Sequence, residues 1–475
     1  MQTGEDGRSG DHAREATRRA PRPVASGAGR AGKLRRQEGR ALPSIGLLMP
    51  ALPIGPAVKP LLPPVLREEP QFARLFAGQA LSVLGDRITM VALPFAVLGI
   101  GGSMADVGLV AAAGLVPMLL FTLAGGVWAD RFPRHRIMLV SDLVRCLTQG
   151  AVALLLLTGQ AQVPYLVVLM MVFGTADAFF MPAATGLLPL LVPTERLREA
   201  NALRGLVQSA SLVLGPALAG GLVALAGPGG ALAVDAVSFA VSAAFLARLR
   251  PRTAPAPDAP AGASFLAELR EGWSQVRSRS WVWSGMAAMG VYHVVVLPSI
   301  FVLGPVLAER EWGGAEGWSI VTVAFGIGAV AGDLLAYRLR PAKPLALGAA
   351  ALAVASCQAV IIGAGPSVWV VAILEAVTGV GVSLFFVLWE TSLQTHIPEH
   401  ALSRVSSYDF LLSSGLMPLG LVLAGPIATA AGLRPTLYTM SAIGVASALL
   451  LLAVPAVRHL TDRTEPAADP ETVAA

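Results

Sequence analysis

The sequence predicts an all-α membrane protein of about twelve transmembrane helices in two pseudo-symmetric six-helix bundles. Three observations carry this. The chain of 475 residues is 55% hydrophobic and only 14% charged, with a mean hydropathy of +0.66, whereas soluble domains average about 25% charged residues. From Phe72 onward, apolar runs long enough to cross a bilayer, which takes roughly 20 residues, alternate with short polar breaks. Basic residues gather in every second break, the asymmetry that orients membrane helices.

Residues 1–71 precede the first span. The first forty hold ten Lys/Arg and five Asp/Glu with no apolar period, which reads as a disordered basic tail. Prolines recurring from Pro43 to Pro64 argue against a helix there. The spans then read Phe72–Ile100, Met104–Trp128, Ile137–Thr158, Pro164–Leu191, Ala202–Ala226 and Gly230–Leu249, giving a first bundle over 72–249. A break at 250–280 follows. It opens Pro-rich at Pro251–Pro257, then places Phe265, Leu269, Trp273 and Val276 near the helical period after Ser264, as an amphipathic helix on the inner membrane surface would. The second bundle, 281–454, reads Trp281–Leu307, Trp318–Tyr337, Leu345–Gly363, Ser367–Thr395, Leu402–Ala430 and Pro435–Val454, before a tail at 455–475.

The even-numbered links carry Arg131, Arg134 and Arg136; Arg196 and Arg198; Arg248, Arg250, Arg252, Arg270, Arg277 and Arg279; Arg338, Arg340 and Lys343; and Arg404, against only Arg310 and Arg434 in the odd ones. This places both termini in the cytoplasm of a multi-pass cell-membrane protein. The eight tryptophans fall near helix ends, as an interfacial aromatic belt requires. A weak internal repeat at an offset of 205 residues pairs Phe180 with Phe385, Pro193 with Pro398, Leu197 with Leu402, Gly215 with Gly420 and Gly220 with Gly425.

Between the second and third spans stands Gly126-Val127-Trp128-Ala129-Asp130-Arg131-Phe132-Pro133-Arg134-His135-Arg136, read as a tight basic turn. Its pattern of Gly126, Asp130, Arg131, Arg134 and Arg136 resembles the signature loop of the major facilitator superfamily of secondary transporters. The count of twelve, the central break and the repeat fit the same plan, with a substrate site between the halves. The second copy, from Gly332-Asp333 to Arg338-Leu339-Arg340, has lost the Asp-Arg pair. On helix 5, Gly215-Pro216-Ala217-Leu218-Ala219-Gly220 resembles the Gly-Pro-x-x-Gly-Gly element of drug–proton antiporters, with Ala219 for one glycine.

Enzymatic and cofactor readings find no support in the pattern. No zinc-protease, phosphate-loop or nucleophile motif is present, and Gly326–Gly332 lies in an apolar span where small residues serve helix packing. Cys146 and Cys357 sit in apolar runs as small hydrophobes. No cofactor, metal or nucleic-acid partner is expected; the partners are a small-molecule substrate, protons and lipid, with the chain acting as a monomer.

Carboxylates inside the membrane are the functional candidates, since a charge at mid-bilayer costs about 2.5–3.5 kcal/mol on insertion scales. Gln79, Ser82, Asp86 and Thr89 form one polar stripe on helix 1, with Asp86 near mid-helix. Asp177 sits at similar depth on helix 4, Glu375 in the outer half of helix 10, Gln208 on helix 5 and His293 on helix 7. Each could line a proton and substrate cavity, or serve as a paired or hydrogen-bonded packing group; for His293 packing is the simpler reading. Asp142 with Arg145 reads as a local ion pair, and Asp235 as a carboxylate near the outer start of helix 6. Arg204 and its repeat mate Asp409 carry opposite charge. By the resemblance, two cytoplasmic latches follow, Asp130–Arg131 with Asp409 and Asp333 with Arg204.

Stretches such as Ser82-Val83-Leu84-Gly85-Asp86, Val387-Leu388-Trp389-Glu390-Thr391 and Met417-Pro418-Leu419-Gly420 look like the branch holding multidrug, macrolide and enterobactin-type siderophore exporters. That resemblance implies proton-coupled export of an amphipathic small molecule by alternating access. A proton-driven importer or uniporter of a metabolite, or a sensor or scaffold that has lost transport, are the competing readings.

Overall fold

In the computed structural model, residues 63–251 and 265–461 are described, apart from the side chains of residues 123, 124, 126, 127, 129, 130, 265–269, 399, 400 and 403. The basic tail before residue 63, the Pro-rich opening of the central break and the end of the chain lie outside them. The described residues contain eleven helices long and apolar enough to span a membrane. One, Thr194–Leu246, is 53 residues long and crosses twice, because Gly227 takes φ 69° ahead of Pro228 and breaks it. The total is therefore the expected twelve.

We label the spans α1 (Pro70–Gly99), α2 (Met104–Arg131), α3 (Arg134–Leu157), α4 (Val163–Leu187), α5 (197–226), α6 (228–246), α7 (Ser280–Glu311), α8 (Ala315–Arg338), α9 (Pro344–Ala364), α10 (Val368–His396), α11 (399–431) and α12 (Leu433–Ala453). Three are interrupted. α7 carries π turns at Tyr292–Val296 and Ser299–Leu303 around Pro298. α9 breaks at Ser356–Cys357, and α11 breaks at Gly415–Leu416.

Several expectations change. The Gly126–Arg136 stretch is hardly a loop: α2 stays helical through Arg131 and α3 starts at Arg134. Pro133 sets this boundary, holding Phe132 extended at φ −118°, ψ 155°. The tail does not run to residue 71, since Pro64–Glu68 is helical with Val65 fully buried. The Val65 amide donates to Glu199 at 3.2 Å, and Glu68 pairs with Arg196, tying this helix to α5. The tryptophans do not all form a belt. Trp281, Trp318 and Trp389 are buried, and Trp389 stacks on Phe385 at 6.2 Å. Phe265–Ser278 is helical, and it docks on the start of α11 through Trp273 against Tyr408 and Glu271 with Arg404.

Helices α1–α6 pack mainly among themselves, as do α7–α12, and two seams join the groups: α2 on the 417–431 part of α11, and α5 on α8. The glycines of the internal repeat explain both. A Cβ on Gly215 would run into the stem of Arg87 on α1, and its mate Gly420 stands likewise against Val294 on α7. A Cβ on Gly220 would strike Ser319 of α8, and its mate Gly425 would strike Ala105 of α2. Each pair thus does the same task in both halves: one glycine closes its own bundle, the next closes the seam. Both seams lie from mid-span toward the end opposite the basic links.

Candidate functional site

A hollow of about 320 Å³ lies in the wall of the first six helices. α1 lines it with Gln79, Ser82, Asp86 and Arg87, α3 with Arg145, α4 with Asp177 and Phe180, and α5 with Asn201, Arg204 and Gln208. Five expected cavity residues, Gln79, Ser82, Asp86, Asp177 and Gln208, therefore meet in one place. Its size is at the lower end of ligand pockets.

Arg145 organises the floor. It is 2% exposed, pairs with Asp142 one turn below on its own helix, and reaches Asp177 Oδ1 on α4 at 3.2 Å. Its guanidinium also stacks over Phe180 and Phe239, 4.0 and 4.5 Å from the ring centroids. The pair expected to be local is thus a three-residue bridge from α3 to α4, and it holds Asp177 in place. Asp86 faces the same hollow within electrostatic reach of Arg145 and Asp177, yet accepts no hydrogen bond from any described residue.

Three expected cavity residues go elsewhere. Thr89 turns into the bundle and donates to Asp235 Oδ2 at 2.7 Å, where Gln149 also donates at 2.8 Å. Asp235 is not near a surface: it lies two turns into α6, wholly buried, because the Gly227 kink starts that helix at residue 228. Glu375 is also wholly buried within the second bundle rather than lining the hollow. Its Oε2 accepts from Gln358 at 3.0 Å and Thr378 at 2.7 Å, and Tyr292 donates to the same Gln358 at 3.1 Å. The break in α9 and the first π turn of α7 bring Gln358 and Tyr292 to it. His293 packs between Tyr292 and Phe386.

Of the latch residues, Asp333 and Asp409 are each held within their own bundle. Asp333 accepts from Ser383 within its own bundle, and Asp409 from Trp389 at 3.2 Å and Ser413 at 3.0 Å. No ion pair joins Asp333 to Arg204 among the described residues. Gly126 and the Asp130 side chain lie outside the description; Arg131 is exposed at the end of α2, and Arg134 donates to the Gly186 carbonyl at 2.6 Å. Arg136 lies in the first turn of α3, exposed beside an apolar groove that also holds Trp128 and Phe132. Gly215, Pro216 and Gly220 sit in α5 at the α1 contact and the α8 seam, with Pro216 buried.

Sequence reasoning missed Arg87, which neighbours Asp86 and lines the hollow, and the partners Gln149, Gln358 and Tyr292. A signal existed for Gln149: Asp142, Arg145 and Gln149 recur at i, i+3 and i+7, one polar face on an otherwise apolar helix. Among the described residues no cluster of side chains suits a metal ion.

Residues 75–417 match the family described as the Major Facilitator Superfamily. The multidrug efflux pump Tap of Mycolicibacterium fortuitum is 29% identical over 83% of this chain and 97% of that protein. Macrolide efflux protein A of Streptococcus pyogenes is 24% identical over 77% of this chain and 91% of that protein. Among solved structures, a bacterial homolog of the human lysosomal transporter Spinster, inward-facing and occupied, superposes with a TM-score of 0.67 at 13% identity, covering 84% of this chain and 98% of that one. The transporter PepTSo superposes with 0.64 at 10% identity, covering 81% and 97%. At these identities the structural likeness is one of fold alone.

Proposed function

Because the chain belongs to the Major Facilitator Superfamily of membrane transporters, we propose that it is an efflux pump that exports amphipathic small molecules in exchange for protons by alternating access. The observation that carries this reading is Asp86: a carboxylate near the middle of a spanning helix, facing a hollow, with no hydrogen-bond donor among the described residues to hold it ionised. A mid-bilayer carboxylate left in that condition is suited to take up and release a proton.

With the basic links cytoplasmic, the packed seams lie on the outer side and this conformation is inward-open. A substrate entering from the cytoplasm or inner leaflet reaches the hollow at Asp86. Rocking of the two bundles then separates the α2–α11 and α5–α8 seams and closes the basic end. There Asp333 would pair with Arg204, and Asp409 with the Asp130–Arg131 end of α2. Protonation of Asp86 from outside removes the charge that held the substrate and favours return. The names of the relatives, multidrug and macrolide efflux proteins, support export over uptake.

Everted membrane vesicles test the direction and the coupling together. Across a panel of amphipathic drugs and dyes, an inside-acidic gradient should drive substrate uptake that a protonophore abolishes and Asp86→Asn lacks. Accumulation that ignores the gradient contradicts antiport, and accumulation only in right-side-out vesicles would make the chain an importer.

A further inference from the structure

The charged groups around the hollow are not all paired. Arg145 is matched by Asp142 and Asp177. That leaves one carboxylate, Asp86, and two guanidinium groups, Arg87 and Arg204, none of which has an ion pair or hydrogen bond with any described residue. Arg87 lies mid-way along α1 with its stem against Gly215 of α5, and Arg204 stands nearer the basic end of α5 on the same wall. A guanidinium at mid-bilayer is costly unless it is matched. Its planar fork of donors fits a carboxylate or phosphate in two parallel hydrogen bonds.

Three kinds of amphiphile can be weighed against this pattern. A purely cationic one is drawn by Asp86 but repelled by the two arginines. A purely anionic one is drawn by the arginines, but it would keep the proton on Asp86 and so travel with a proton instead of displacing one. Only a molecule with both charges satisfies every group and still exchanges for a proton. We infer that the transported substrate is a zwitterionic amphiphile, its amine against Asp86 and its carboxylate or other anion held by Arg87 and Arg204. This rests on the export reading for the role of Asp86. It also gives Arg204 two successive partners: the substrate anion in this conformation and Asp333 once the basic end closes, so that closing the latch loosens the cargo.

Binding to the purified full chain in lipid nanodiscs tests the inference without any gradient, so its result stands apart from that of the vesicle assay. One probe set shares a xanthene skeleton: a rhodamine free acid carrying both charges, its methyl ester with only the cation, and fluorescein with only anions. A second set is a piperazinyl fluoroquinolone and its methyl ester. Wild-type protein should bind the free acid about tenfold or more tighter than the ester or fluorescein, the range expected for a charge-assisted hydrogen bond. The doubly substituted Arg87→Gln, Arg204→Gln protein should lose the preference for acid over ester, and Arg87→Lys should retain part of it. Asp86→Asn should lose the preference over fluorescein. Monodisperse elution and an unchanged melting temperature confirm that each variant is folded. Equal binding of acid and ester on both skeletons, no binding on either, or a preference that survives in the double variant overturns the inference.

Discussion

Four buried or half-buried carboxylates in this molecule have different surroundings, and those surroundings separate their tasks. Asp142 and Asp177 are bound to Arg145, and Asp235 accepts from Thr89 and Gln149. Asp86 alone among these four accepts no hydrogen bond. Removing one partner of a buried ion pair leaves the other charge stranded, at about 3–5 kcal/mol. Arg145→Ala should therefore lower the melting temperature in detergent sharply, while Arg87→Ala, with no partner to strand, should leave it nearly unchanged; equal melting temperatures for the two would refute the bridge. Glu375 has Gln358 and Thr378 as donors, which an amide can satisfy as well. Glu375→Gln is thus expected to retain gradient-driven transport in vesicles, and its loss would shift the proton role from Asp86 to Glu375. The sequence made Asp86 and Asp177 legible as polar groups at mid-span. It did not tell Thr89 from Ser82, because helical spacing gives the face of a helix and not the neighbour that face will meet.

Helix pairs carry the conformational argument. Gly108 of α2 lies against the Leu421 carbonyl of α11, and Gly425 against Ala105, so neither seam position admits a side chain. Gly108→Leu should wedge this seam apart and populate the conformation closed at the basic end. Spin labels at Phe132 and Tyr337, both exposed and one in each half near the basic end, should then read a shorter distance by double electron–electron resonance than in the parent. An unchanged distance distribution would show that the seam is not what holds this state. Helix existence was legible throughout, since every spanning backbone must satisfy its own hydrogen bonds and so must be a long apolar helix. Helix ends were less so. The α2 boundary hinges on the Pro133 ring, and the depth of Asp235 hinges on the left-handed Gly227, both local backbone effects that hydropathy does not register. The breaks in α7 and α9, which bring Tyr292 and Gln358 to Glu375, left no periodic trace for the same reason.

For the molecule as a whole, the internal repeat was the most informative part of the sequence. Gly215 with Gly420, and Gly220 with Gly425, made only a weak repeat in the sequence, yet they occupy equivalent contacts in the two halves. In the export cycle proposed above, that equivalence lets one half rock against the other, exchanging one pair of seams for another, so that the hollow at Asp86 opens first to one side and then to the other. The exchange requires that substrate and proton exclude each other at a single carboxylate. By thermodynamic linkage, substrate binding must then expel the proton as strongly as the proton expels substrate. The direct measurement is proton release on adding a transported amphiphile to purified protein in weakly buffered detergent, near the pH where Asp86 is half-protonated. Wild type should release a substantial fraction of one proton per substrate bound, and Asp86→Asn none. Substrate binding with no proton release in the wild type, or with the same release in Asp86→Asn, would contradict the account.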